Sequence, residues 1–147
     1  MSTTLSAPRT RPVTPIALGT ALVAAAGTVY GAHDWPEIIV VSAVIAASSA
    51  VVFGIVVRRA LTRPSAGGTV LALSVPGALL LLPAFWSGLP LVLGVAGAVL
   101  GDAGRNAREG SGKSIAGLVL GVLTVLGYLA IYIGDGVAGG SAGFLFD

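Results

Sequence analysis

Residues 64–101 decide the fold, and they read PSAGGTVLALSVPGALLLLPAFWSGLPLVLGVAGAVLG, 38 residues without a charge. A single helix of that length would measure about 57 Å, whereas the hydrocarbon core of a bilayer is ~30 Å thick. Three prolines interrupt the stretch: Pro76, Pro83 and Pro90. The segment 85–88 (FWSG) between them is typical of a turn. We therefore predict two short helices, 69–83 and 89–104, which either cross a membrane in turn or form a re-entrant hairpin.

The segments on either side are also apolar and long enough to cross a membrane. They predict helices at 15–31, 38–57 and 114–133. The expected fold is thus all-α, a polytopic membrane bundle of about five transmembrane helices. Residues 1–147 form a single membrane domain in this interpretation, with a short cytoplasmic N-terminal tail over 1–13 and a glycine-rich extracytoplasmic tail over 134–147.

The composition excludes a water-soluble domain of this size. Hydrophobic residues make up 55% of the chain, 22 of the 147 residues are glycine, and only 10% are charged. Soluble domains carry about 25% charged residues, and a small globule has too much surface to hide this much apolar area. Intrinsic disorder requires the opposite composition. The chain also has no cysteine, which excludes disulfides and thiolate chemistry.

The basic residues predict the orientation of the chain. They occur in three groups: Arg9 and Arg11; Arg58, Arg59 and Arg63; Arg105, Arg108 and Lys113. If residues 69–104 cross the membrane twice, or not at all, every basic residue lies on one side, as positively charged cytoplasmic loops require. The N-terminus is then inside and the C-terminus outside. Tyr30, Trp35, Phe85 and Trp86 fall at the outer interface, where aromatic rings prefer to lie.

The expected location is a bacterial cytoplasmic (plasma) membrane. The bias toward Ala and Gly, and toward Arg over Lys, is typical of GC-rich bacterial genomes. An alternative interpretation of the first span is a cleaved signal peptide, because Arg9 and Arg11 precede an apolar run that ends in Ala24-Ala25-Ala26. No basic cluster resembles a nucleic-acid site, so no nucleic-acid partner is expected.

The sequence offers no candidate for catalysis. No ionisable residue lies at membrane depth, where proton relays and coupled transporters place such groups. Serines such as Ser48, Ser49 and Ser74 have no base at the same depth, and we expect them to bond their own helix or a neighbouring one. His33, Asp34 and Glu37 are read as an interfacial loop with a helix cap. We therefore predict no catalytic, cofactor or metal residues and no enzyme.

Glycines at helical spacing are the candidate packing residues. Gly94, Gly97, Gly101 and Gly104 recur at spacings of three and four, which predicts one small-residue face on a helix. G-x-x-x-G pairs also occur at Gly27 and Gly31 and at Gly117 and Gly121. Such faces let helix backbones approach closely, within one chain or between a chain and a partner.

The basic groups that flank the spans are the candidate lipid-facing residues. They either contact lipid headgroups or only fix the topology: Arg58, Arg59, Arg63, Arg105, Arg108 and Lys113. The lipid bilayer is the expected partner, together with a membrane protein or a second copy bound through the glycine faces.

The sequence of the C-terminal half resembles a known family. Residues 93–105 (LGVAGAVLGDAGR) are followed by a short basic linker and then by residues 112–121 (GKSIAGLVLG). This order is similar to a small actinobacterial multi-pass membrane domain of unknown function, with a glycine-rich helix, an Arg-rich linker and an AGLVLG-type helix. The resemblance covers about residues 70–134. It implies a membrane location and no catalytic or binding residues.

Two functions are compatible with these features. The first is a non-enzymatic small integral membrane protein, an accessory or scaffold subunit of a larger membrane complex. The second is an oligomeric pore or carrier for a small neutral solute, because interrupted helices line the binding cavities of many transporters.

Overall fold

The computed structural model describes residues 13–31, 35–62, 67–106 and 110–137, with side chains described except at 28–31 and 135–137. Every regular element in these ranges is helical. We number five helices in chain order: α1 (Val13–Gly31), α2 (Trp35–Leu61), α3 (Gly67–Leu79), α4 (Leu89–Gly104) and α5 (Ser111–Val137). The all-helical fold with five helices is therefore confirmed.

The helices differ in length. Helix α2 and the part of α5 over Ser111–Gly134 are long and apolar enough, by length and composition, to cross a membrane. The three other helices are apolar but shorter. At 1.5 Å per residue, α3 is only about 20 Å long and α4 about 24 Å.

Proline decides where α3 ends. The predicted end at Pro83 is wrong, because the helix stops at Leu79. Pro83 has no N–H to donate to the carbonyl of Leu79, four residues earlier, and its ring clashes with that carbonyl. The chain continues through hydrogen-bonded turns and a 3₁₀ turn (Phe85–Ser87) to Gly88, whose φ of 68° leads into α4. Helix α4 begins and ends where predicted.

Helix α2 contains a π-helical segment, Val52–Val57, which the sequence analysis did not predict. Buried residues recur every four positions before and within it: Val41, Ile45, Ser49, Phe53 and Val57. A spacing of four drifts around a helix of 3.6 residues per turn, and the wider π turn offsets that drift. The segment therefore keeps one face of α2 against the bundle. It also extends the helix past the predicted end at 57, so that Arg58 and Arg59 lie within its last turn.

The helices alternate in direction. One buried cluster joins the C-terminal part of α2 to the start of α3 and the end of α4, through Val57, Val70 and Leu100. A second cluster joins the C-terminal half of α1 to the start of α4 and the C-terminal half of α5, through Ala24, Leu91 and Tyr128. The two clusters mark the two ends of an up-and-down bundle.

The core is built mainly around α3, α4 and α5, which make the most extensive contacts in the fold. The buried polar residues among the described side chains are small hydroxyl residues: Thr20, Ser49, Ser74, Ser87, Ser114 and Thr124. Many other large aliphatic side chains face outward, and Leu22, Leu82 and Ile133 are 71%, 75% and 64% exposed. The core also holds large side chains such as Ile45, Phe53 and Leu100, so apolar residues lie both inside and outside the bundle. Soluble monomers rarely expose extensive apolar surface.

Candidate functional site

Helices α4 and α5 approach each other at backbone distance. A Cβ added at Gly101 would lie 2.6 Å from the Ser114 carbonyl oxygen and 2.7 Å from the Leu118 nitrogen. A Cβ at Gly121 would lie 2.6 Å from the Gly94 carbonyl oxygen. Real Cβ atoms do not come so close to backbone atoms, so only glycine fits at Gly101 and Gly121 without a shift of the helices. Gly94 lies in the same interface, where a Cβ would be 3.1 Å from the Gly121 oxygen.

Ser74 joins the three C-terminal helices. Its Oγ, on α3, donates a hydrogen bond to the Gly117 carbonyl on α5 at 2.8 Å, and the residue is fully buried. A Cβ at Gly97 on α4 would collide with the same Oγ, and one at Gly117 would collide with Val70 of α3. Of the two bonds expected for the serines, to their own helix or to a neighbouring one, Ser74 makes the second. Ser48 instead donates to the carbonyl of Ile45 in its own helix.

The glycines of α4 that were predicted to form one face pack against two neighbouring helices. Gly94, Gly101 and Gly104 face α5, with Gly104 against Ser114, whereas Gly97 faces Ser74 on α3. The pair Gly117 and Gly121 divides in the same way, with Gly117 against α3 and Gly121 against α4. Among the described residues, the six predicted glycines of α4 and α5 thus belong to one three-helix junction. We call the junction of α3, α4 and α5 around Ser74 the glycine junction.

The remaining predicted glycines are in α1. Gly27 faces α5, where an added Cβ would lie 3.1 Å from Tyr132 Cζ and 3.3 Å from the Tyr128 hydroxyl. The ring of Tyr132 contacts that of Tyr128, with 4.9 Å between centroids, and meets the Phe85 ring edge-on at 6.0 Å. Gly31 is the last residue of α1, and its surroundings lie outside the described residues.

Several packing residues were missed by the sequence analysis. Gly77 packs on Leu93, and Gly127 packs on Leu81. A Cβ added at Gly88 would lie 3.0 Å from side-chain atoms of both Ala24 and Ile45. Ser114 and Thr124 are buried and continue the small-residue spacing of Gly117 and Gly121. That extended spacing is a signal that sequence reasoning could have used. Nothing in the sequence identifies which helix faces Gly77, Gly88 or Gly127.

The described basic side chains share one end of the bundle. Arg58 and Arg59 end α2, Arg105 follows α4, and Lys113 lies in the first turn of α5. Gly67, at the start of α3, packs on Lys113, so α3 begins at this end as well. Arg105 Nε pairs with Asp102 Oδ1 at 3.2 Å. We call this the basic end; the predicted residues Arg63 and Arg108 lie outside the described residues.

Aromatic side chains lie at the opposite end, which we call the aromatic end. Trp35 begins α2, Phe85 and Trp86 lie in the turn between α3 and α4, and Tyr132 lies near the end of α5. Trp35 is 78% exposed and Trp86 is 54% exposed. The turn between α3 and α4 therefore reaches the level of Tyr132, more than twenty residues along α5.

The described residues contain no group of three or more His, Cys, Asp or Glu side chains that could hold a metal ion. His33 and Asp34 lie outside these residues, as do 1–12 and 138–147 of the predicted tails. Residues 134–137, assigned to the tail by the sequence analysis, continue α5. Chemically, the arrangement can hold helices together and contact lipid or a protein partner.

Comparisons with protein-family models, with curated proteins and with solved structures give no match to this chain. The resemblance of residues 70–134 to the actinobacterial membrane domain stays a prediction. The function must therefore be argued from the geometry alone.

Proposed function

We propose that the chain is a small, non-enzymatic integral protein of a bacterial cytoplasmic membrane, and that it serves as an accessory or scaffold subunit. The observation that carries the proposal is the wide exposure of large aliphatic side chains. Small and hydroxyl residues fill the glycine junction, while large aliphatic residues are exposed on α1, α2, α3 and α5; α4 has no exposed residue. Soluble monomers rarely expose apolar patches of more than a few hundred Å², whereas a lipid-facing surface must be apolar.

The proposed orientation places the basic end in the cytoplasm and the aromatic end outside. The separation of Arg58, Arg59, Arg105 and Lys113 from the Trp35 and Trp86 end supports it, because cytoplasmic loops carry the positive charge. The position of Phe85 beside Tyr132 favours a hairpin that reaches the far interface over one that returns midway. In this proposal the short helices α3 and α4 cross the membrane supported by α5.

The chemistry of the described surface supports the proposed scaffold role. The described surface is apolar along its helices, and its charged groups are confined to the helix ends. The glycine junction fixes α3, α4 and α5 into one rigid unit, against which a second membrane protein can pack. The interrupted helices α3 and α4 close on each other through Gly77 and Leu93, which disfavours the carrier alternative.

A pull-down of the tagged full-length chain in mild detergent tests the proposal. We expect at least one membrane protein to be recovered in near-equal amount, identified by mass spectrometry. The tag is best placed at the N-terminus, with an unrelated five-helix membrane protein as the control. Recovery of the chain alone as a defined oligomer, with flux of a neutral solute into liposomes, would contradict the scaffold role and favour a pore or carrier.

A further inference from the structure

A groove between α1 and α2 borders the packed face of α2, with Ser49 and Phe53 on its wall. It opens at the basic end and has a volume of about 410 Å³, within the range of ligand pockets, about 300–1,000 Å³. Its walls are formed largely by small side chains: Ala17, Ala21, Ala46, Ala50 and Gly54. A Cβ at Gly54 would meet nothing within 4 Å, so the space beside it is empty.

We propose that this groove binds one acyl chain of an anionic phospholipid of the cytoplasmic leaflet, with the headgroup held at Arg58. This inference rests on the proposed membrane location. Arg58 lines the groove and is exposed, at the end where the helices leave the hydrocarbon region. A cationic side chain beside an apolar groove is complementary to an anionic headgroup on an acyl chain.

The length of the groove matches one leaflet. Its α1 wall runs from Val13 to Ala21, about 12 Å, and its α2 wall runs from Ala46 to Arg58, about 18 Å. Half of a ~30 Å hydrocarbon core has the same length. A chain that enters beside Arg58 therefore ends near the middle of the bilayer.

The volume favours an extended chain over a helix. One turn of α-helix, about 5.4 Å long and 10 Å wide, already occupies about 420 Å³. A volume of about 410 Å³ along walls of about 12–18 Å makes the groove narrow for its length. A single acyl chain fills a long and narrow space of this kind.

Ser49 is a buried polar residue of the α2 wall. The residue lines the groove and is 5% exposed, yet its Oγ has no hydrogen-bond partner within the described part of the chain. By contrast, Thr20 on the facing helix donates to the carbonyl of Ile16 at 2.8 Å. The Ser49 Oγ is enclosed by protein atoms, so it is an unsatisfied polar group of the wall and not an opening for the lipid headgroup.

Native mass spectrometry from nanodiscs tests the proposal. The full-length chain is placed in equal amounts of phosphatidylglycerol and phosphatidylcholine with identical acyl chains. We expect one retained phospholipid per chain, with phosphatidylglycerol preferred. Because one basic residue near the surface contributes about 1 kcal/mol to anionic lipid binding, Arg58→Gln should lower that preference about fivefold. Arg59→Gln, which removes an equal charge outside the groove, should have a smaller effect.

Filling the groove provides the second measurement. Gly54→Leu should lower the retention of both lipids, and Ala50→Leu should repeat the effect from the neighbouring turn. Gly19→Leu is the matched control, because Gly19 also has open space around it but does not line the groove. Equal effects of Arg58→Gln and Arg59→Gln, or unchanged retention in both filled variants, would overturn the proposal. Retention of a second copy in place of lipid would overturn it as well.

A separate experiment tests the membrane location. We expect the chain to remain in the membrane pellet after alkaline carbonate extraction, whichever lipid it prefers. Release by carbonate would contradict the proposed function. Retention in the pellet with no lipid retained from nanodiscs would contradict the groove proposal alone.

Discussion

Single glycines decide how closely α4 and α5 pack. A Cβ added at Gly101 or Gly121 would lie 2.6–2.7 Å from backbone atoms of the opposite helix. A Cβ added at Gly19 or Gly112 would meet no atom within 4 Å. Sequence spacing predicted the first two as packing residues. Spacing could not show that Gly97 packs against α3 while the other glycines of α4 pack against α5, because it does not identify which helix lies opposite.

Gly101→Ala should destabilise the bundle by about 1–3 kcal/mol, because the Ser114 and Leu118 backbone can yield only if α4 and α5 move apart. Thermal unfolding in detergent measures the change. Gly19→Ala is the control and should leave the melting temperature unchanged or raise it, since Ala favours a helix over Gly by up to about 1 kcal/mol. An equal loss in both variants would show that the α4–α5 contact is not the cause.

The ends of individual helices can be predicted from the sequence where proline or a charged residue marks them. The bounds of α4 are those predicted, because Pro90 suits a first turn and Arg105 follows the apolar run. The end of α3 was placed four residues late, because Pro83 acts on the carbonyl of Leu79 and not at its own position. The π-helical segment of α2 depends on what its face packs against, which the sequence alone does not contain.

Gly88 and Gly110 offer a matched pair at the starts of α4 and α5. Both have positive φ, 68° and 78°, and Ala there costs about 1–2 kcal/mol in a left-handed backbone conformation. A Cβ added at Gly88 would also lie 3.0 Å from Ala24 and Ile45. A Cβ added at Gly110 would have Gly67 Cα, at 4.0 Å, as its nearest neighbour. We expect Gly88→Ala to lower the melting temperature clearly more than Gly110→Ala does. Equal losses would mean that only backbone strain matters.

The bundle as one body has two chemically different ends. Arg58, Arg59, Arg105 and Lys113 lie at one end, while Trp35, Phe85, Trp86 and Tyr132 lie at the other. The charge pattern of the sequence predicted that the basic groups share one side, because the prediction had residues 69–104 cross a membrane twice or not at all. Which helices touch at each end could not be predicted, since it depends on contacts such as Leu81 with Gly127.

Cysteine labelling tests the membrane arrangement most directly, because the chain has no native cysteine. Trp86 is suited to replacement because it is 54% exposed in the turn between α3 and α4, whereas the neighbouring Ser87 is buried. Asn106 is exposed at the basic end. An impermeant maleimide on intact cells should label Trp86→Cys, and should label Asn106→Cys only after lysis. Labelling of Asn106→Cys in intact cells with protection of Trp86→Cys would contradict the proposed topology.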